Sequence, residues 1–316
     1  GNKQIQERPA MRNRNTAEIM ISVIDYIEEH LSENPDLERT AEAVHYSRYH
    51  LHRMFVKELG ITIHDYVQRR QLTEAAKMLV FSDRPILEIA LAAGYESQQA
   101  FTAAFKEMYK RTPNRYRGEE AFYPLQLRYI LQENPSGPDR ANKTDETAFW
   151  RGRIAPAAFG DIPLWMDLVR LVVDGFPCLD EESYLANLRE YIERGSALIL
   201  KEGEIAVGVM AYRTETGSID FLGVHPQYRK RGIARAFVEK MAEELVEEGT
   251  DLTATAFREG DKADTGCREA LKKLGFAEAE LLVEFGYPTQ RFVFENKEQS
   301  HRNVQKAGEA GNGGGM

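Results

Sequence analysis

Cysteine is nearly absent from this chain: two residues in 316, Cys178 and Cys267, isolated from each other and from any paired metal-ligand spacing. That scarcity excludes a disulfide framework and a Cys/His zinc site and leaves both as reduced thiols, so no metal is expected. Long apolar runs are missing too. No stretch approaches the ~20 residues a membrane-crossing helix needs, and the opening GNKQIQERPAMRNRNT lacks the apolar core of a secretory signal. A cytoplasmic protein without a membrane partner is the expectation. Nor is there an excess of positive charge: 41 Lys and Arg stand against 50 Asp and Glu, a net −9. The deficit is uneven, however, with 17 basic against 16 acidic residues in 1–118 and 24 against 34 in the remainder. Phosphate affinity depends on local cation clusters, so the overall sign does not exclude nucleic acid.

The length is about twice the ~150 residues of a common domain, which predicts two domains. Hydrophobic residues at 42% and charged residues at 29% suffice to build packed cores. In TAEIMISVIDYIEEH, Ile19, Val23, Ile24 and Ile27 recur at helical spacing, with Thr16 as the expected cap. A second helix is predicted from Leu37. A third opens at Ser47, with Leu51, Phe55 and Leu59 on one face. This pattern returns fifty residues later: Ser97, Phe101, Phe105 and Tyr116 follow Ser47, Leu51, Phe55 and Tyr66. Each copy reads as a small-residue helix, a tight turn (at His45 and Tyr46, then at Gly94 to Glu96) and a capped helix, the helix-turn-helix arrangement. From His64 to Phe81 no Pro or Gly interrupts the pattern, so one rigid helix should join the copies.

The runs SRYHLHRMFVKELG and RPILEIALAAGYESQQAFTAAFKEMYKRTPNRYR resemble the DNA-binding region of the AraC/XylS transcription regulators, from Met20 to Arg117. That resemblance implies duplex DNA as partner, read by the third helix of each copy in successive major grooves. The implied contact residues are Arg48, Tyr49, His52 and Arg53 on the first helix, and Gln98, Gln99, Thr102 and Lys106 on the second. Arg53 is suited to guanine, a glutamine to adenine and Lys106 to phosphate. Val56 shares the outward face of the first helix. Ala103 stands where the family often has a cation, which implies a different sequence preference.

After Arg117, the apolar stretch Phe122 to Leu131 should pack on a neighbour, and the Pro/Gly/Asn-rich stretch that follows marks a boundary at 132–146. Beyond it, strands are predicted at Phe149–Ile154, Ala197–Lys201, Ile205–Tyr212, Ile219–Val224, Leu252–Phe257, Glu280–Phe285 and Arg291–Glu295. Helices are predicted at Ile162–Val173, Glu181–Glu193, Gly232–Glu248 and Thr265–Leu274, giving a mixed α/β domain. Its sharpest motif is SIDFLGVHPQYRKRGIARAFVEKMAEEL, in which a strand, a turn carrying Arg229, Lys230 and Arg231, and Gly232 lead into a helix. Free N–H groups and the helix dipole at such a start favour pyrophosphate.

Arg229, Gly232 and Ala234 in that setting, with the later LKKLGF, resemble the GNAT superfamily of N-acetyltransferases from Ala148 to Phe294. The resemblance implies acetyl-CoA as cofactor and an amine as acceptor. Leu222, Gly223 and Val224 would pair with the pantetheine arm, and the amides of Lys230, Arg231, Gly232, Ile233, Ala234 and Arg235 would hold the pyrophosphate. Many members protonate the leaving thiolate with a tyrosine, but here Leu271 occupies that position. Cys267, one turn earlier, and Asp220, which could order a water that takes the amine proton, are the remaining candidates for the chemistry. His225, next to Pro226, reads as structural.

The chain is therefore expected to be multidomain. An all-α tandem helix-turn-helix domain at 17–118 follows a short tail (1–16), and a linker at 119–146 leads to a mixed-sheet acyltransferase domain at 147–296 and a second tail (297–316). Three functions fit this plan: a regulator with a working acetyltransferase, a regulator whose acetyltransferase fold only senses acetyl-CoA or an effector, and an enzyme with a helical scaffold.

Overall fold

The computed structural model describes residues 15–135, 146–172, 180–284 and 286–296. Cys178, most of both tails and the middle of the linker fall outside the described residues.

The N-terminal part is helical. Helix α1 (Thr16–Glu29) buries Ile19, Val23, Ile24 and Ile27. Its cap is Asn15 rather than Thr16: the Asn15 side chain accepts the Ala17 N–H at 3.4 Å, and Thr16 is already helical. Helix α2 (Leu37–Ala43) starts at Asp36, and α3 (Arg48–Leu59) starts at Ser47, whose hydroxyl accepts the His50 N–H. Helix α4 (Ile63–Phe81) is the unbroken connector. The second copy repeats the plan with α5 (Ile86–Ala92) and α6 (Gln98–Tyr109), capped by Ser97, and the short α7 (Pro113–Gly118) closes it. Both tight turns need a left-handed residue, His45 at φ 63° and Gly94 at φ 79°. A Cβ on Gly94 would lie 2.8 Å from Gln71 Nε2, so a side chain in the second turn would displace Gln71 as well as strain the left-handed backbone.

Residues 122–132 lie across α4. The Thr73 hydroxyl accepts the N–H groups of Leu125 and Gln126, both at 3.1 Å, while Arg69 and Arg70 donate to the carbonyls of the same two residues. Buried backbone that leaves a helical bundle needs such partners, and polar groups on one face of α4 supply them.

The C-terminal part begins with α8 (Glu146–Arg151), which corrects the strand expected at Phe149–Ile154. Trp150 is fully buried on one face of this turn, and Arg151 pairs with Glu243 and Glu244. The chain joins the sheet only as β1 (Ala155–Pro156), where Pro156 has no N–H and can occupy only an edge. Helices α9 (Ile162–Leu171) and α10 (Glu181–Glu193) follow, then β2 (Ala197–Glu202), β3 (Ile205–Arg213) and β4 (Ser218–Val224). Helix α11 (Ile233–Lys240) is shorter than expected, because a π-helical turn, Met241–Leu245, replaces its end. Strand β5 (Leu252–Phe257), α12 (Cys267–Leu274), β6 (Ala277–Glu284) and β7 (Tyr287–Phe294) complete the domain.

Among the described residues the sheet has seven strands in the order β1-β2-β3-β4-β5-β7-β6, antiparallel except for β4 and β5. One apolar cluster joins the cores of α1, α3 and the start of α4 to the α9/α10 face of the sheet. A second lies under α8, α11 and α12. A third unites the second helical copy with Phe257, Ala263 and Tyr287. The two parts of the chain thus share apolar cores. Gly208 on β3 lets α11 approach closely, since a Cβ there would meet Phe237 at 2.6 Å. Among the described residues no helix is long and apolar enough to cross a membrane.

Candidate nucleic-acid interface and cofactor cleft

On α3, Arg48, Tyr49, His52 and Arg53 are exposed, because Leu51, Phe55 and Leu59 turn the other face into the core. Tyr49 is 70% exposed, with the Arg48 guanidinium stacked 4.9 Å from its ring centroid. Val56, expected on the outer face, is half-buried. On α6, Gln98, Gln99 and Lys106 are exposed and Thr102 is half-buried. An extended aromatic anchor beside cations on one helix, and paired amides on the other, present donors and acceptors suited to base edges.

The cleft forms where the sheet divides. Strand β4 pairs with β3 along its length, but its only described partner on β5 is Ser218↔Thr253, reinforced by the Thr253 N–H to Gly217 carbonyl bond at 2.9 Å. Among the described residues no further ladder pair joins the two parallel strands beyond that point. A bulge lies here. The β3 register passes from Ala211↔Phe221 to Tyr212↔Ile219, so Asp220 is the extra residue. As a result Ile219 packs under α11 while Phe221 packs under α9 and α10.

The β4–α11 turn lies at the open end of this cleft. His225 caps the 3-10 turn Pro226–Tyr228, its Nδ1 accepting the Gln227 N–H at 3.3 Å. Burial, with Arg229 and Arg231 nearby, lowers the His225 pKa to about 4, which keeps that nitrogen a neutral acceptor. Lys230 at φ 63° and Gly232 at φ 77° are both left-handed. Left-handed residues in a turn are the conformation from which anion-binding concavities of successive N–H groups are built, and here they stand just before the first turn of α11. A Cβ at Gly232 would lie 2.9 Å from Thr147 Oγ1 on α8, so a side chain there would crowd α8 as well as strain the left-handed backbone. These residues fit a pyrophosphate. Arg229 and Lys230 also reach across the fold, with Arg229 Nη1 3.4 Å from the Leu59 carbonyl and Lys230 Nζ 3.4 Å from the Val56 carbonyl. Arg235 donates to the Lys273 carbonyl at 3.0 Å, tying α11 to α12.

Two family descriptions match the chain: a helix-turn-helix domain over residues 40–119 and the acetyltransferase (GNAT) family over residues 165–276. The multiple antibiotic resistance protein MarA of Escherichia coli (strain K12) is 42% identical over 122 residues, 36% of this chain and 96% of that protein. The chain belongs to the AraC-type helix-turn-helix regulators. Its C-terminal half is a GNAT-family domain. The right origin-binding protein of the same organism is 40% identical over 101 residues, 32% of this chain and 35% of that protein. A GNAT-family acetyltransferase from Bacillus cereus ATCC 10987 is 17% identical with a TM-score of 0.36, covering 45% of this chain and 95% of that one.

Within the GNAT domain the two candidate catalytic residues lie on different elements, Asp220 on the β4 bulge and Cys267 at the start of α12. Asp220 Oδ2 accepts from Arg213 Nε at 2.6 Å and from the Tyr191 hydroxyl, and Oδ1 accepts from Ser218 Oγ at 2.7 Å. Burial first, and then the bond to Asp220, push Tyr191 up to about 12. Cys267 is half-buried between two apolar clusters, and its N–H is held by Asp264 at 2.7 Å. Leu271 is buried in the α11-side core. Sequence reasoning missed Tyr191 and Arg213, which donate to the Asp220 carboxylate and orient it. Their only signal was the bulge, which no spacing rule exposes.

Proposed function

We propose that this AraC-type regulator reads duplex DNA with α3 and α6 in successive major grooves, and that its GNAT domain binds acetyl-CoA between β4 and β5 and acetylates an amine. The observation that carries the second half is the end of the β4–β5 ladder at Ser218 and Thr253, ahead of a turn with left-handed Lys230 and Gly232. The exposed contact residues of α3 and α6 support the first half, since roughly 34 Å separates successive major grooves and α4 holds the spacing.

Leu222, Gly223 and Val224 offer their backbone to the pantetheine arm, and the amides from Lys230 to Arg235 receive the pyrophosphate. Acetyl-CoA, when bound, supplies the activated acetyl thioester. Asp220, oriented by Tyr191 and Arg213, holds a water through which the proton of the incoming amine passes to its carboxylate. Cys267 is the proton donor on the leaving side. The acidic C-terminal half, 24 basic against 34 acidic residues, attracts a cationic acceptor.

A second reading has a specific observation in its favour: Leu271, where many relatives carry an acidic tyrosine, is a buried apolar side chain. On that reading the domain senses acetyl-CoA without turnover. Release of free thiol from acetyl-CoA is the deciding assay, run against polyamines, aminoglycosides, amino acids and an N-terminal peptide. Amine-dependent release supports acetyl transfer, whereas calorimetric binding with no release across the panel supports the sensor.

A further inference from the structure

We infer that the two reading helices divide the work of recognition, α3 holding the duplex largely by charge and α6 selecting among sequences with neutral amides. The inference rests on the duplex reading of these helices and is independent of the acyl-CoA cleft.

The internal repeat supplies the comparison. Helices α3 and α6 have 12 residues each, and each starts at a serine whose hydroxyl accepts the N–H three residues on and ends at a left-handed residue, Gly60 or Lys110. Positions fifty apart therefore occupy the same place on each helix. Arg48, Arg53 and Lys57 on α3 correspond to Gln98, Ala103 and Glu107 on α6, and all six are exposed. The outward face of α3 thus carries three cations, while Glu58, the one carboxylate of that helix, is half-buried. The face of α6 sets Lys106 against Glu107 and has no net charge.

The cations that follow α6 do not restore the balance, because the fold uses them. Lys110 stands at φ 58° where the first copy has Gly60 at φ 78°, and its ammonium donates to the buried Asp261 carboxylate at 2.8 Å. Arg111 and Arg115 both donate to Glu119, at 2.9 and 3.2 Å, and Arg117 donates to the carbonyls of Leu79 and Arg84. On α3, by contrast, Arg48 stacks on Tyr49 and donates to its hydroxyl at 3.0 Å, which leaves the guanidinium charge uncompensated. Lys57 is 70% exposed and lies 3.9 Å from Glu58, a contact that solvent screens.

A cation that neutralises a phosphate releases counterions, so each such contact makes log affinity fall with log salt at a slope of about 0.9. A neutral amide on a base edge releases none, and its paired hydrogen bonds distinguish adenine from other bases. Helix α3 therefore supplies the salt-dependent part of binding and α6 a selection that salt leaves alone. Both units belong to one chain and differ in chemistry, so the duplex they fit is directional rather than palindromic. It carries two boxes about 10 base pairs apart, a guanine facing Arg53 in one and adenine facing Gln98 and Gln99 in the other.

The test uses the full chain and a fluorescent duplex selected from a randomised library, with affinity read by anisotropy at salt between roughly 50 and 200 mM. Arg48→Gln with Lys57→Ala should flatten the plot of log affinity against log salt by about two and weaken binding alike on every sequence. Gln98→Ala with Gln99→Ala should leave that slope within about half a unit of wild type and cut discrimination at the base pairs under α6 about ten-fold or more. Glu107→Lys, which gives α6 the α3 residue, should steepen the slope by about one, a gain that misfolding cannot produce. Equal flattening by the two double variants, an unchanged slope in Arg48→Gln with Lys57→Ala, or no steepening in Glu107→Lys overturns the inference and leaves the duplex reading intact. Absence of duplex binding by wild type removes both.

Discussion

Asp220 takes hydrogen bonds from Arg213, Tyr191 and Ser218 at a position the β3 register skips, so its carboxylate is held by a bulge rather than by a ladder. Asp220→Asn preserves shape and removes the charge. Turnover should fall about 100-fold or more, as loss of a general base requires, with acetyl-CoA affinity unchanged by calorimetry. His225 gives a pH prediction. Its folded pKa of about 4 lies below the ordinary 6.5, so its contribution to stability is complete above about pH 6.5 and is lost as pH falls toward 4. Denaturant melts across that window should show wild type losing up to about 3 kcal/mol more than His225→Asn, whose side chain still accepts the Gln227 N–H. On α3, Arg53→Ala should cost about 1–3 kcal/mol on a selected duplex and relax the preference at one base pair, measured by competition binding. The caps Ser47 and Ser97 were legible because a hydroxyl just before a periodic apolar face has one common use. Asp220's partners were not, because Tyr191, Arg213 and Ser218 converge only through α10 and the bulged edge.

At the scale of elements, periodicity located α1 to α6 and the helix and strands around the β4–α11 turn, since each pairs a strong apolar face with a clear stop. It failed at Phe149–Ile154, where AFWRGRI reads as strand but Trp150 is buried by a helical turn against Tyr228 and α11. Trp150→Ala should destabilise the fold by about 3–5 kcal/mol. Because α8 also carries Thr147 over Gly232, the same variant should loosen the pyrophosphate turn, seen as faster amide exchange at residues 230–235. The left-handed Lys230 was equally invisible, since lysine carries no sequence sign of a positive φ. It is held there by the turn and by its reach to α3.

For the whole molecule, two halves of different chemistry were legible from the repeat and the glycine turn, but their docking was not. The Arg69 contact with Ala263 spans 194 residues, and no pattern in the chain relates a basic residue of a connecting helix to a loop after β5. Arg69 is 2% exposed and bonds to both Ala263 and Leu125, so Arg69→Met removes polar ties on both sides of the seam. Calorimetric melting should then resolve two transitions where wild type shows one. The claim on which the rest depends is that the cleft between β4 and β5 is an acyl-CoA site. Calorimetric titration of acetyl-CoA into wild type and Gly232→Val tests it most directly, since a valine there would need a positive φ and would collide with Thr147. One-site binding by wild type that disappears in the variant is the predicted result. No binding by wild type, or equal binding by both, would contradict it.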